Sequence, residues 1–420
     1  MSRKLLDTVL SRIRHGRVEL RDRGRVHHYG PPDAELRAVV TMHSPRAWRA
    51  WLRGSTGMAE SYADGLWDCD DLVVLVRIAA REMRRYDGVR RALVPLQQLA
   101  AMVPRNSRLR ARRHIAAHYD LGDHLFELFL DDSMTYSSAL FEDEAATLEE
   151  AQEAKLDQIC RRLELKPDDH VLEIGSGWGS LSLHAASKYG CRVTTATISE
   201  AQHARTVARV HEAGLENQVE VVLSDYRDLR GEYDKLVSVE MIEAVGRQYF
   251  KLFFERCSEL LHPEGLMLLQ AILIEDSAYE AEKASRSFIN KLIFPGGCLP
   301  SMQVIERCLD ATGLASEHVD DLTQSYVLTL RHWRDRFRAA AGQAAAHGYD
   351  LRFRRLWELY LCYVEAGFTE RRIEDVQLLI AGPSYRGSRV NMRSEIASSR
   401  KAGPREASLA RAVLPPGPST

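Results

Sequence analysis

The chain has 420 residues, 45% hydrophobic and 28% charged, with a net charge of −2; this describes a globular protein with room for two cores and excludes a disordered or fibrous chain. No apolar run approaches the roughly 18 residues of a spanning helix, and Met1-Ser2-Arg3-Lys4 leads into no signal-peptide core. The seven scattered cysteines form no C-x-x-C pair, so a cytoplasmic, reducing setting with no zinc site is expected.

Residues 1–115 carry short patterned segments and the cluster Glu60-Ser61-Tyr62-Ala63-Asp64-Gly65-Leu66-Trp67-Asp68-Cys69-Asp70. They are expected to form a small N-terminal domain that ends in a basic linker. From Arg84 to Arg113 nine arginines face the single acid Asp87, a local charge of +8 against −10 for the remainder. Leu93, Val94, Leu96, Leu99, Met102 and Val103 lie between the charges. Such an amphipathic basic stretch fits an anionic membrane surface. A solvated helical face accounts for it too, and no nucleic-acid fold signature accompanies it.

From about 116 to 383 strand and helix patterns alternate. Apolar Leu156, Ile159, Cys160 and Leu163 place a helix over Glu149–Leu163. Strands are predicted at His170–Ile174, Arg192–Thr197, Val219–Leu223, Lys235–Val239 and Gly265–Ile274, with helices between them. That order predicts an α/β fold with a doubly wound, Rossmann-like parallel sheet. The stretch Ile274–Leu330 reads as a helical insertion. Residues 384–420, rich in Ser, Arg, Gly and Pro, read as a disordered tail.

The first strand runs into Glu173-Ile174-Gly175-Ser176-Gly177-Trp178-Gly179, then a helix pattern. Glycines let the backbone turn sharply and approach a bound molecule without a Cβ in the way. The G-x-G-x-G spacing is not the dinucleotide fingerprint and suits S-adenosylmethionine, although a dinucleotide site or a plain strand-to-helix turn also accommodates it. Ligands of such sheets lie beyond the carboxyl ends of the strands. Those ends deliver Thr197, Ser199 and Gln202 from the second strand, Asp225 and Tyr226 from the third, and Glu240 and Glu243 from the fourth. Asp225 is placed to accept from an adenine amino group, but a helix cap and a surface polar residue describe Asp225 and Gln202 as well. Two glutamates past an apolar strand are costly to bury unless paired or protonated.

Several ordered segments carry a family resemblance over about residues 15–382. They are His118-Tyr119-Asp120-Leu121-Gly122-Asp123, Met134-Thr135-Tyr136-Ser137-Ser138-Ala139, the glycine loop with Trp178, Thr197-Ile198-Ser199, Asp225-Tyr226-Arg227-Asp228, and the long string Phe288–Ser301. The chain resembles the cyclopropane-fatty-acyl-phospholipid synthases, and the Glu60–Asp70 cluster is similar to that of full-length members with an N-terminal lipid-binding domain. The resemblance implies transfer of the S-adenosylmethionine methyl carbon to the double bond of an unsaturated acyl chain at a phospholipid membrane. The product it implies is a cyclopropane, or a methylene branch that a partner reductase converts to a methyl branch. It also implies a protein peripheral on the inner membrane face that admits a homodimer. Tyr136, Ser137, Gly175, Ser176, Gly177, Trp178, Gly179, Thr197, Ser199, Gln202, Asp225 and Tyr226 are its implied cofactor contacts. Phe288, Ile293, Phe294 and Leu299 are candidate acyl-pocket residues, with ordinary core packing as the alternative.

In cyclopropane-forming members a bound bicarbonate is commonly the base, and its holders map here to Ser138, Glu243, Gln270, Ile272 and Tyr326. The chain departs from that pattern. Ser138 stands for a cysteine, Gln270 and Ala244 for histidines, and Val364 for a further cysteine. Glu240 stands where many members have glycine, so it either supplies the base in place of bicarbonate, reshapes the bicarbonate site, or pairs with an arginine on the rim. A methyltransferase for a soluble molecule and a non-catalytic lipid-binding protein are the competing function classes.

Overall fold

A computed structural model describes residues 2–85, 122–283 and 287–386. Most of the basic stretch, the His118–Leu121 segment and the tail from residue 387 lie outside the described residues.

The N-terminal part is a four-stranded sheet in the order β2-β1-β3-β4, with β1 Arg17–Asp22, β2 Arg25–Tyr29, β3 Arg37–Met42 and β4 Trp67–Cys69. Val18, Leu20 and Asp22 alternate inward along β1, the two-residue period of a half-buried strand. The β1–β2 hairpin turns through Arg23 and Gly24, both at positive φ (50° and 76°), as a two-residue hairpin turn requires. The helices Ser2–Leu10, Arg46–Trp51, Gly54–Ala63 and Leu72–Arg84 also belong to this part. Asp71 starts the last of them by accepting from the Val74 amide at 3.0 Å.

The larger part is a seven-stranded sheet in the order β10-β11-β9-β8-β5-β6-β7. Its strands are β5 His170–Ile174, β6 Arg192–Thr197, β7 Val219–Leu223, β8 Tyr233–Val239, β9 Leu261–Ile274, β10 Ala315–Asp321 and β11 Ile373–Ala381. β5 to β9 pair in parallel, and β11 runs antiparallel between β9 and β10, so β10 at the edge points the same way as β5 to β9. Five strands thus match the sequence reading, two of them with longer N-terminal ends. The helix predicted at Glu149–Leu163 spans Leu148–Arg162, opened by a capping box between Thr147 and Glu150.

One reading needs correction: Ile274–Leu330 is not wholly helical. It contains β10, whose run Glu317-His318-Val319-Asp320-Asp321 is too polar to read as a strand. Asp320 is tolerated there because Arg162 donates two 2.8 Å hydrogen bonds to it.

The two parts share one hydrophobic cluster, running from Val18 and Trp67 to Trp357 and Phe368. The Leu351–Thr369 helix packs against the Gly54–Ala63 and Leu72–Arg84 helices. Arg77 and Arg81 each donate to Glu370, at 2.7 and 2.8 Å. Arg355 sits 4.0 Å over the Tyr62 ring and bonds Asp68 at 2.6 Å.

Candidate active site

The carboxyl ends of β5, β6, β7 and β8 open onto one cavity of about 860 Å³. At β5 the chain turns on Gly175, at φ 101°, where a Cβ would stand 3.2 Å from the Met241 side chain. Gly175 and Ser176 both donate to the Ala196 carbonyl, which fixes the loop against β6. Glu173, buried at the root of the loop, accepts from Ser182 and, at 2.6 Å, from Thr195. Burial pushes its carboxyl up to about 7 against those donors.

Tyr136, Ser137, Gly175, Ser176, Gly177, Trp178, Thr197, Gln202, Asp225 and Tyr226 all line the cavity. Gly179 and Ser199 do not. Gly179 allows close packing instead, since a Cβ there would stand 2.7 Å from Thr206. Ser199 caps the Glu200–Glu212 helix through its hydroxyl. Thr197 donates to the Gln202 carbonyl oxygen at 2.9 Å, and the Gln202 amide nitrogen has no partner among the described residues. Both Asp225 oxygens accept from Arg227, at 2.7 and 2.6 Å.

Deeper in the cavity stand the two glutamates. Glu240 follows β8 at φ 47°, a left-handed conformation that costs a side-chain-bearing residue about 1–2 kcal/mol. Its carboxylate accepts from the Ser138 amide at 2.8 Å, the Gln270 amide nitrogen at 2.9 Å and the Tyr326 hydroxyl at 2.6 Å. It is therefore hydrogen-bonded to three of the groups mapped to bicarbonate binding, and no arginine bonds it among the described residues. Glu243 accepts from the Ile272 amide at 2.6 Å, and its second oxygen is buried with no partner among the described residues. Ser138 and Gln270 themselves lie behind the wall, fully buried.

Sheet register orients Gln270, which sits opposite Gln377 on β11. Gln158 donates to Gln377 at 3.0 Å, Gln377 donates to the Gln270 carbonyl oxygen at 3.1 Å, and the Gln270 nitrogen is thereby turned to Glu240 and, at 2.9 Å, to Asp375. Burial raises the carboxyls of Glu240, Glu243 and Asp375, Glu243 to about 8 and Asp375 well above the usual range, with like-charge repulsion from Glu240 as a further cause in the last two. Lys155 is the nearby cation. It donates to Ser137 at 2.8 Å, and burial holds it down to about 8 despite the Glu240 charge.

Aromatic rings surround these acids. Tyr326 stacks on Phe368 at 4.4 Å, and the Tyr136 and Tyr360 hydroxyls lie 2.9 Å apart. Phe294 and Leu299 line the cavity as expected. Phe288 and Ile293 do not: both are buried in the core cluster, Phe288 edge-on to Tyr363.

Sequence reasoning missed Lys155, Asp375 and Tyr360. Two of them had left a signal: Lys155 sits four residues before Ile159 on the apolar face of its helix, and Asp375 interrupts an apolar strand.

A parallel sheet of this order, with a glycine turn after its first parallel strand, is that of the S-adenosylmethionine-dependent methyltransferases, and the chain is one of them. Residues 106–378 match the family model described as mycolic acid cyclopropane synthetase, and the chain belongs to that family. Tuberculostearic acid methyltransferase UfaA1 of Mycobacterium tuberculosis is 38% identical over 358 residues, 81% of this chain and 83% of its own. The cyclopropane-fatty-acyl-phospholipid synthase of Escherichia coli K12 is 35% identical over 380 residues, 89% of this chain and 94% of its own. The crystal structure of mycolic acid cyclopropane synthase CmaA1, complexed with SAH and CTAB, superposes with a TM-score of 0.60 at 32% identity over 64% of this chain and 98% of that one.

Proposed function

We propose that the chain places the S-adenosylmethionine methyl carbon on the double bond of an unsaturated acyl chain in a membrane phospholipid, with Glu240 as the base. The observation that carries this is the Glu240 carboxylate, held by Ser138, Gln270 and Tyr326 inside an aromatic, largely apolar cavity.

The residues fit the donor. Glycines leave open space in front of Gly177, and the free Gln202 amide and the Asp225 carboxylate border it. Tyr136, Ser137, Gly175, Ser176, Gly177, Thr197, Gln202, Asp225 and Tyr226 would hold it. When bound, it supplies an electrophilic methyl group.

The rest is work for the chain's own groups. When an alkene carbon takes the methyl group, the neighbouring carbon is left positive. Water must be excluded, because a carbocation that meets water becomes an alcohol. The faces of Tyr326, Tyr136, Tyr360 and Phe294 stabilise the passing charge. Of the three acids, Glu240 has the most donors and faces Lys155, so it holds the negative charge while Glu243 and Asp375 stay protonated. Desolvation makes it a stronger base than a solvated glutamate. Loss of a proton from the added methyl to Glu240 closes a cyclopropane. If a hydride first shifts from the branched carbon to its positive neighbour, the same loss leaves an exomethylene group.

We assign the exomethylene outcome. Glu240 stands where many members have glycine, and the 38% identical relative is named a methyltransferase. A reductase must then deliver the saturated branch. The chain works as a peripheral protein at the membrane surface, with the N-terminal part as its lipid-facing domain; Arg247 and Lys291 on the cavity wall suit a phosphate headgroup. No described helix is long and apolar enough to cross a membrane.

Incubation with methyl-labelled donor and dioleoyl phospholipid vesicles tests this. Label in an acyl chain that takes up hydrogen under mild catalytic hydrogenation is expected. A ring that resists hydrogenation refutes the product assignment, and label only in added water-soluble acceptors refutes the function.

A further inference from the structure

The Leu72–Arg84 helix lies before the residues that match the family model, yet it forms part of the cavity. It carries two apolar faces. Leu72 and Ile78 are buried in the shared core, with Val73, Val74 and Leu75 packed against it. Val76, Ala79, Ala80 and Met83, spaced i, i+3, i+4, i+7, form a second stripe that lines the cavity. Ala79 is exposed and Met83 is 39% exposed. Between the faces, Arg77 and Arg81 hold Glu370, and Arg84 reaches Glu275 at 3.1 Å. The stripe is therefore fixed to the catalytic part by ion pairs and leaves part of its apolar surface to the cavity.

We propose that this stripe is the wall that receives the hydrocarbon chain of the substrate and sets which acyl chains are accepted. This rests on the function proposed above. The occupant is an alkyl chain because the four side chains offer no hydrogen-bonding group, and because the stripe lines the same cavity as Phe294, Tyr360 and Glu240. The two alanines leave the width that a polymethylene chain needs, so Ala79 is where added bulk narrows the path. Met83 is where removal of bulk lengthens it.

The test uses the full chain with labelled donor and mixed vesicles of palmitoleoyl, oleoyl and cis-vaccenoyl phosphatidylglycerol, with product ratios read by mass spectrometry. Ala79→Phe is expected to lower kcat/KM for the longer chains relative to palmitoleoyl by about tenfold, the scale of one or two methylenes in an apolar pocket. Met83→Ala is expected to move the ratio the other way. Calorimetric affinity for the donor is expected to stay at the wild-type value in both, which shows that the fold and the glycine loop are intact. Variants that bind donor normally and keep the wild-type ratio, or that lose rate equally on all three lipids, overturn the inference. A wild-type protein that alkylates none of the lipids overturns the function itself and is told apart by that control.

Discussion

Glu240→Gly is expected to abolish unaided turnover, and bicarbonate is expected to bring it back. Removal of the base costs about 10²–10⁴-fold in rate, the usual worth of a positioned proton acceptor. The structural consequence is also specific. Glycine adopts the φ of 47° freely, which returns about 1–2 kcal/mol. Against this, the Ser138 amide, the Gln270 amide nitrogen and the Tyr326 hydroxyl lose their acceptor, at about 1–3 kcal/mol for each donor left dry. The variant is thus destabilised by a few kcal/mol, less wherever water enters the space. Bicarbonate presents oxygens to the same three donors and is itself a base, so it restores both terms. The assay is label transfer to oleoyl vesicles in carbon-dioxide-free buffer, with and without added bicarbonate, beside thermal unfolding of the same samples. Wild-type turnover in the variant without bicarbonate would refute the reasoning; so would bicarbonate that changes neither rate nor Tm.

Two further predictions concern charge. Glu243 is held up to about 8 by burial and by Glu240, so the folded state keeps a proton that the unfolded chain releases near pH 4.5, and stability falls as pH rises between these values. Glu243→Gln removes this loss: its Tm advantage over wild type should grow from about pH 5 to pH 8 and level off above, whereas a pH-independent difference contradicts the assignment. Lys155→Met takes away the cation facing Glu240, which raises the pKa of the base. The acid limb of its kcat–pH profile should move to higher pH, and an unmoved limb shows that Lys155 does not act on Glu240.

Much of the sheet was legible because its parallel strands read as short runs rich in β-branched and apolar residues between helices, so that β5, β6 and β7 have the predicted bounds residue for residue. β10 was not, because its acids are neutralised by partners such as Arg162 that no local pattern reveals. The same limit hid Asp375 and the chain Gln158–Gln377–Gln270, which exists only through the β9–β11 register. Glu240 was legible as a carboxylate at the end of a strand and Tyr326 through family resemblance, but their bond required the fold. Phe288 and Phe294 look alike in sequence; only packing separates a core ring from a cavity ring. The second apolar stripe of the Leu72–Arg84 helix was likewise open to reading as ordinary core.

The most direct measurement of the central claim supplies a donor whose methyl carries three deuteriums to the wild-type protein and oleoyl vesicles. Transfer to an alkene carbon followed by proton loss from the new methyl predicts an acyl product that retains two of the three, with the exomethylene carbon bearing both. Retention of all three on the lipid, or deuterium found only in a water-soluble acceptor, would contradict it.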